Sequence, residues 1–372
     1  MLLILLAFSA LAEPTSAPVE IDPAAALEAE IKRLASLDPV PPEKQGGKLR
    51  IRAVGDVMLG TTFPAGYLPP DDGAHLLDAV VPLLQDADLT FANLEGPLCD
   101  SGVSTKCGAS GNCYAFRSPT HYGQYLKDAG VDMVSTANNH ARDFGQSCRD
   151  ETHATLDALG IAWSGPVGTT TTLEHNGVRV GMVAFHTDPG SNHLNHTENA
   201  AKLVAALAAV HPVVIVSFHG GAEGNKAIHV PHGTETFYNE DRGNLRVFTH
   251  AMIDAGADLI LGHGPHVPRA MEIYKGRLIA YSLGNFATYG RFNLKGHLGS
   301  GMVLEVEVEG DGRFAGGRIL STRQEGRGVP QPDEELRAAN LVRLLSKEDF
   351  PQTHVQVGQD GSLAAPSATM AE

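Results

Sequence analysis

The chain is short of positive charge: 28 lysines and arginines face 43 aspartates and glutamates over 372 residues, a formal net charge of −15. Nucleic-acid binding rests on cations that neutralise phosphates, so no nucleic-acid partner is expected. Cysteine is scarce too, with Cys99, Cys107, Cys113 and Cys148 alone, and their spacing is not that of a paired C-x-x-C zinc clamp. No apolar run approaches the roughly 20 residues that span a bilayer. A G-x-S-x-G elbow and a P-loop are both missing, which removes the serine-hydrolase and P-loop readings. No internal repeat is apparent.

What is present is ordinary globular composition, 42% hydrophobic and 19% charged. The first residues, MLLILLAFSALA, are almost wholly apolar and end in Ala10-Leu11-Ala12, a small-x-small cleavage pattern. A signal peptide is therefore expected over 1–12, with a linker over 13–47 that carries one helical stretch, a folded domain over 48–346 and a polar C-terminal tail over 347–372. Export would place the protein outside the cytoplasm, secreted or periplasmic. There four cysteines form two disulfides, with three connectivities open. Pairing Cys99 with Cys148, which leaves Cys107 for Cys113, would tie the loop after Glu95 to the loop carrying Asn139.

Apolar, β-branched runs recur: LRIRAV, DLTFA, VDMVST, VRVGMVAF, PVVIVSF, DLILG, RLIAYSL and GMVLEVEVE. Helix-like segments separate the earlier ones, among them HLLDAVVPLL and NAAKLVAALAAV, which predicts an α/β fold. The later runs lack intervening helices and are expected to pair antiparallel. The residue after each strand is polar: Asp56, then Asn93 and Glu95, Asn139 and His140, His219 and Glu223, and His263 and His266. In open α/β sheets ligands bind at the carboxyl ends of strands. Each of these residues alone has a structural explanation, as a turn former or a satisfied interior histidine. All of them together build one polar constellation of oxygen and imidazole ligands without thiolate, which suits one or two divalent ions, Mn, Fe or Zn foremost. In STANNHARDFG, His140 and Asp143 lie three apart, so the carboxylate can orient the imidazole.

With these residues in hand the chain resembles the capsule-synthesis family typified by CapA, the poly-γ-glutamate capsule proteins, within the calcineurin-like metallophosphoesterase superfamily. The matching motifs are GDVMLG (55–60), ANLEGPL (92–98), ANNHARDFG (137–145), SFHGGAE (217–223), GHGPHVPRAMEIY (262–274) and YSLGNF (281–286). The resemblance implies a four-layer αββα sandwich of two mixed sheets with metals at the strand ends. By position Asp56, Asn139, His219, His263 and His266 match metal ligands, Glu95 stands where a bridging aspartate would be, and His140 matches the leaving-group proton donor. Asn93, Glu223 and Asn285 would line the substrate side. The chain departs from the superfamily at Met58, where the first motif has histidine, at Glu95, and in the spacing of His263 and His266, three apart instead of two.

Two functions follow. One is an exported metal-dependent phosphoesterase-like hydrolase of the envelope, linked to capsule or exopolymer biosynthesis, with His140 and Asp143 catalytic. The other is a non-catalytic metal-binding accessory protein in capsule assembly or export. The expected partners are a phosphoester substrate or an anionic envelope polymer, and capsule-assembly machinery at the membrane.

Overall fold

A computed structural model describes residues 22–39, 47–104, 106 and 113–366. The expected signal peptide and Cys107 lie outside the described residues. Along the strand Val213–His219, Val213 and Ile215 enter one apolar cluster while Val214, Val216 and Phe218 enter another. Successive side chains of a strand point to opposite faces, so a strand apolar on both faces must be covered on both. The strands Val178–His186 and Leu259–His263 repeat the pattern and flank it in parallel, at the centre of a six-stranded sheet. Antiparallel strands close the two edges of this sheet, Thr171–His175 on one side and Met271–Tyr274 on the other.

The sheet packed against it has ten strands, built on Leu49–Met58, and a separate two-stranded pair joins Thr236–Phe237 to Glu240–Asp241. Leu49–Met58 runs parallel to Leu89–Leu94, which runs parallel to Met133–Ser135, and it pairs antiparallel with Ser300–Val308. Ile51, Phe91 and Leu304 of this sheet share one cluster with Met182, Ile215 and Leu261 of the other, so the two sheets pack face to face. The outer face of the six-stranded sheet is covered by the helices Pro23–Ala35, Thr197–Ala208 and Leu245–Asp254 through Leu34, Leu203 and Phe248. The outer face of the ten-stranded sheet is covered by Val81–Gln85, Tyr122–Asp128 and Gly145–Leu159 through Leu84, Leu126 and Leu156. The result is the four-layer αββα sandwich of mixed sheets.

Some local expectations change. The helix read over 75–84 begins only at Val81, because Pro82 is tolerated only in a first turn. Of the later runs expected to pair antiparallel, Ser300–Val308 and Phe314–Glu325 do so, but Arg277–Ala280 joins the six-stranded sheet instead, antiparallel to Met271–Tyr274 and parallel to Leu259–His263. The stretch read as a linker carries the helix Pro23–Ala35, whose Leu27, Ile31 and Leu34 pack onto the six-stranded sheet's outer cluster, so that helix belongs to the folded body. The described part of the stretch read as a tail is also folded in. Its strands Gln356–Val357 and Ser362–Ala364 extend the ten-stranded sheet beyond Phe314–Glu325, with Val355 and Leu363 in the intersheet core. Among the described residues no helix is long and apolar enough to cross a membrane.

Cys99 and Cys148 form a disulfide with Cα atoms 5.1 Å apart, in a small buried cluster with Ala115 and Phe144. Cys113 is also disulfide-bonded, and its expected partner Cys107 lies outside the described residues. The bridge closes a loop of sequence separation 49. On the chain-entropy account such a loop contributes about 4 kcal/mol, which native strain and residual denatured structure reduce. The double variant Cys99→Ser/Cys148→Ser is expected to lose about 2–4 kcal/mol. The check is the urea midpoint under non-reducing conditions, and an unmoved midpoint would contradict it.

Candidate metal centre

The parallel strands of both sheets deliver their carboxyl ends to one place. In the ten-stranded sheet Asp56 is in register with Asn93, and in the six-stranded sheet His186, His219 and His263 stand in one row across three strands. Reaching this arrangement requires backbones to touch. A Cβ on Gly55 would sit 1.8 Å from the Gly284 carbonyl oxygen, the same oxygen that accepts the Asp56 N–H at 3.0 Å. Glycine at 55 thus lets the GDVM strand press against the LGN turn.

Asp56 is fully buried and surrounded. Asn93 Nδ2 donates to its Oδ1 at 2.8 Å, and His266 Nδ1 lies 2.8 Å from its Oδ2. His263 Nδ1 approaches Oδ1 at 3.5 Å, a contact too long to count as a hydrogen bond here. The spacing departure in G-H-G-P-H is absorbed by the backbone. Gly264 has φ of 113° and His266 itself is left-handed at φ of 60°, which lets both imidazoles address Asp56 despite the extra residue. Glu95 Oε1 lies 3.7 Å from His266 Nε2, and Glu223 Oε2 lies 3.8 Å from the same nitrogen. Asp56, Glu95 and His266 offer ligand atoms all within 4.8 Å of one another, a group that could hold a metal ion.

The donor set fits such an ion. Buried polar atoms are normally paired, yet among the described residues both oxygens of Glu95, both ring nitrogens of His263, His219 Nε2, and the side-chain oxygens of Asn93, Asn139 and Asn285 have no hydrogen-bond partner. These atoms belong to the residue types that bind hard and borderline divalent cations, each imidazole offering one ring nitrogen. Electrostatics agree. Burial pushes the Glu95 carboxyl well above the ordinary range, with the nearby Asp56 and Glu223 charges adding and His266 opposing. His266, which burial alone would lower, is pushed up to about 10 by Glu95, Asp56 and Glu223. The His266 shift expresses a negative potential that favours a cation at this point, whereas the Glu95 shift comes chiefly from burial. Asp56 is held below the usual carboxylate range by His263 and His266 despite its burial, and burial lowers His219 far below the usual imidazole value.

Beside this group, His140 Nδ1 lies 2.7 Å from Asp143 Oδ2 while its Nε2 is 3.9 Å from Glu95 Oε1. Burial depresses the imidazole's affinity for a proton and Asp143 partly restores it. Asp143 is fixed in turn by the Phe116 N–H at 2.8 Å and by Lys106 Nζ at 2.6 Å. The geometry therefore brings together Asp56, Glu95, His219, His263, His266, Glu223, His140 and Asp143. Asn93 stands within the Asp56 contacts, also 3.4 Å from His219 Nδ1, rather than on an open substrate side. Asn139 and Asn285 contribute unpartnered oxygens, the latter in register with Asp56. Met58 is turned away, its sulfur accepting the Gly60 N–H at 3.3 Å.

Sequence reading misses Lys106, His186 and Arg242. His186 Nδ1 donates to the His219 carbonyl at 2.7 Å, and a histidine ending VRVGMVAFH carries the same strand-end signal as the others. Arg242, buried at 1% exposure, places Nη1 3.1 Å from Glu223 Oε1, and nothing near it in sequence announces this.

Fold and site thus define a two-sheet α/β protein with a carboxylate–imidazole centre at its strand ends. Residues 50–289 match the family described as bacterial capsule synthesis protein PGA_cap, and the chain belongs to that family. It is 27% identical over 276 residues to the capsule biosynthesis protein CapA of Bacillus anthracis, covering 69% of this chain and 63% of the relative, under two thirds of the latter's length. It is 25% identical over 304 residues to the PGA biosynthesis protein CapA of Bacillus subtilis, covering 79% and 77%. A probable polyglutamine synthesis accessory protein of Mycobacterium tuberculosis is 26% identical over 234 residues, 54% of this chain and 58% of that one. Among solved structures, a 5′-nucleotidase precursor from Thermus thermophilus aligns with TM-score 0.40 at 13% identity, over 82% of this chain and 59% of that one.

If Asp56, Glu95 and His263 hold an ion, Asp56→Asn, Glu95→Gln and His263→Ala each lower bound divalent metal by elemental analysis. His140→Ala leaves it in place, because His140 is bonded to Asp143 instead. Loss of metal from His140→Ala would overturn this division.

Proposed function

We propose that the chain is an exported metal-dependent phosphoesterase-like hydrolase of the bacterial envelope, serving capsule or exopolymer biosynthesis. The observation that carries this reading is the seating of the His140–Asp143 pair against Glu95, on the edge of the Asp56–Glu95–His266 group. Asp56, Glu95, His219, His263 and His266, with the Asn139 oxygen, would hold one or two divalent ions. A divalent cation supplies Lewis acidity toward a phosphoryl oxygen and lowers the pKa of bound water. Asp143 fixes His140 through Nδ1, leaving Nε2 to carry the proton that a leaving group requires. Phe116, with its ring 4.3 Å from the His140 ring, shields that imidazole from water. Glu223 and Asn285 face the substrate, a phosphoester or an anionic envelope polymer brought by capsule-assembly machinery at the membrane. Export is supported by the apolar N-terminal segment and by the Cys99–Cys148 disulfide, since disulfides persist in oxidising compartments.

One observation favours a second reading, a non-catalytic accessory role. Met58 stands where the superfamily's first motif has histidine, and its thioether is engaged with Gly60 instead of the centre. Titrating the purified protein with Mn²⁺ and Zn²⁺ against an aryl phosphodiester decides between them. Metal-dependent turnover is expected, with kcat falling about 10²- to 10⁴-fold in His140→Ala while bound metal is retained. Metal binding without turnover would favour the accessory reading.

A further inference from the structure

Arg242 is a buried arginine beside the centre that lacks a full set of partners. Its Nη1 meets Glu223 at 3.1 Å and Glu240 at 3.6 Å, yet Nε and Nη2 are buried and have no hydrogen-bond partner among the described residues. Those two nitrogens form the side-on edge of the guanidinium, the fork whose parallel N–H bonds match two oxygens of one anion. The segment that carries it is firmly held. Arg269 pairs with Glu235 through two contacts of 2.9 and 2.8 Å, Ala222 N–H donates to Glu235 at 2.9 Å, and the Arg242 carbonyl accepts the Gly221 N–H at 2.8 Å. Glu223 lies between Arg242 and His266, with one oxygen toward each, so the guanidinium stands one carboxylate away from the candidate ion ligands.

We infer that Arg242 is an oxyanion-holding residue, whose Nε–Nη2 edge takes two oxygens of a phosphoryl or carboxylate group beside the metal centre. The inference rests on the hydrolase reading and deepens it by naming the substrate's anchoring chemistry. Its charge also acts on the centre itself, being among the influences on both Glu95 and His219. A monoanionic or dianionic group can thereby be held in a protein whose net charge of −15 would otherwise repel it.

The test is calorimetric titration of the full chain with inorganic phosphate and, separately, with glutarate, in metal-loaded and chelator-treated protein. Wild type is expected to bind at least one probe saturably, and phosphate against glutarate tells a phosphoester source from a carboxylate polymer. Arg242→Lys keeps the charge and loses the fork, so binding should weaken roughly 10- to 100-fold. If Arg242→Lys does not fold, Glu223→Gln tests the same guanidinium, because removing the carboxylate that neutralises it through Nη1 should tighten the probe. No binding to wild type, equal binding to Arg242→Lys, or unchanged binding to Glu223→Gln overturns the inference. The chelator-treated arm reads anion binding without metal, so a failure of the hydrolase reading remains distinguishable.

Discussion

A carboxylate with no exposure to water is costly unless its charge is paired and its lone pairs are bonded, and Asp56 is such a group. It is compensated by residues from both sheets: Asn93 from its own, His263 and His266 from the other. Satisfying Asp56 therefore fixes how the carboxyl ends of the two sheets meet. The Glu95 and Gly96 N–H groups both donate to the Val57 carbonyl, at 2.9 and 3.1 Å, so the second acidic residue is indexed to the first. Removing one partner of a buried charge pair leaves the other uncompensated, which makes this contact the least replaceable in the site.

Much of this is legible because a strand's period of two ends abruptly in polar residues, and five strands end that way. The sandwich and the residues around Asp56 follow from that signal. The histidine spacing looks like a defect in the sequence, but it is resolved by the left-handed turn at Gly264 and His266, which no residue count reveals. Arg242, Lys106 and the Glu235–Arg269 pair are invisible for another reason: the partners that tie them to the site are distant in sequence, and an isolated arginine reads as a surface charge. The N-terminal helix reads as part of a linker although Leu27, Ile31 and Leu34 recur at helical spacing, because the surrounding prolines and alanines dominate its composition. The strands near the C-terminus are too short to show any period.

Charge alternates through the centre. Arg242, Glu223, His266 and Asp56 form a chain of opposite neighbours, each within 3.8 Å of the next. Such an arrangement compensates burial link by link. It also places cations on either side of Glu223, so positive charge near the centre sits inside the fold and not on a basic surface.

The disulfide joins the segment just after Glu95 to the helix just after Asp143. Hydrogen bonds and packing hold each of these locally, but the covalent link between them is set by electron exchange with the surroundings. Both cysteines are buried once the chain is folded, so exchange with small thiols acts while it folds, and a chain that folds with this bridge open holds the spacing of Glu95 and His140 by local contacts alone. The assembled geometry then depends on the redox poise the chain meets as it folds, as well as on its sequence.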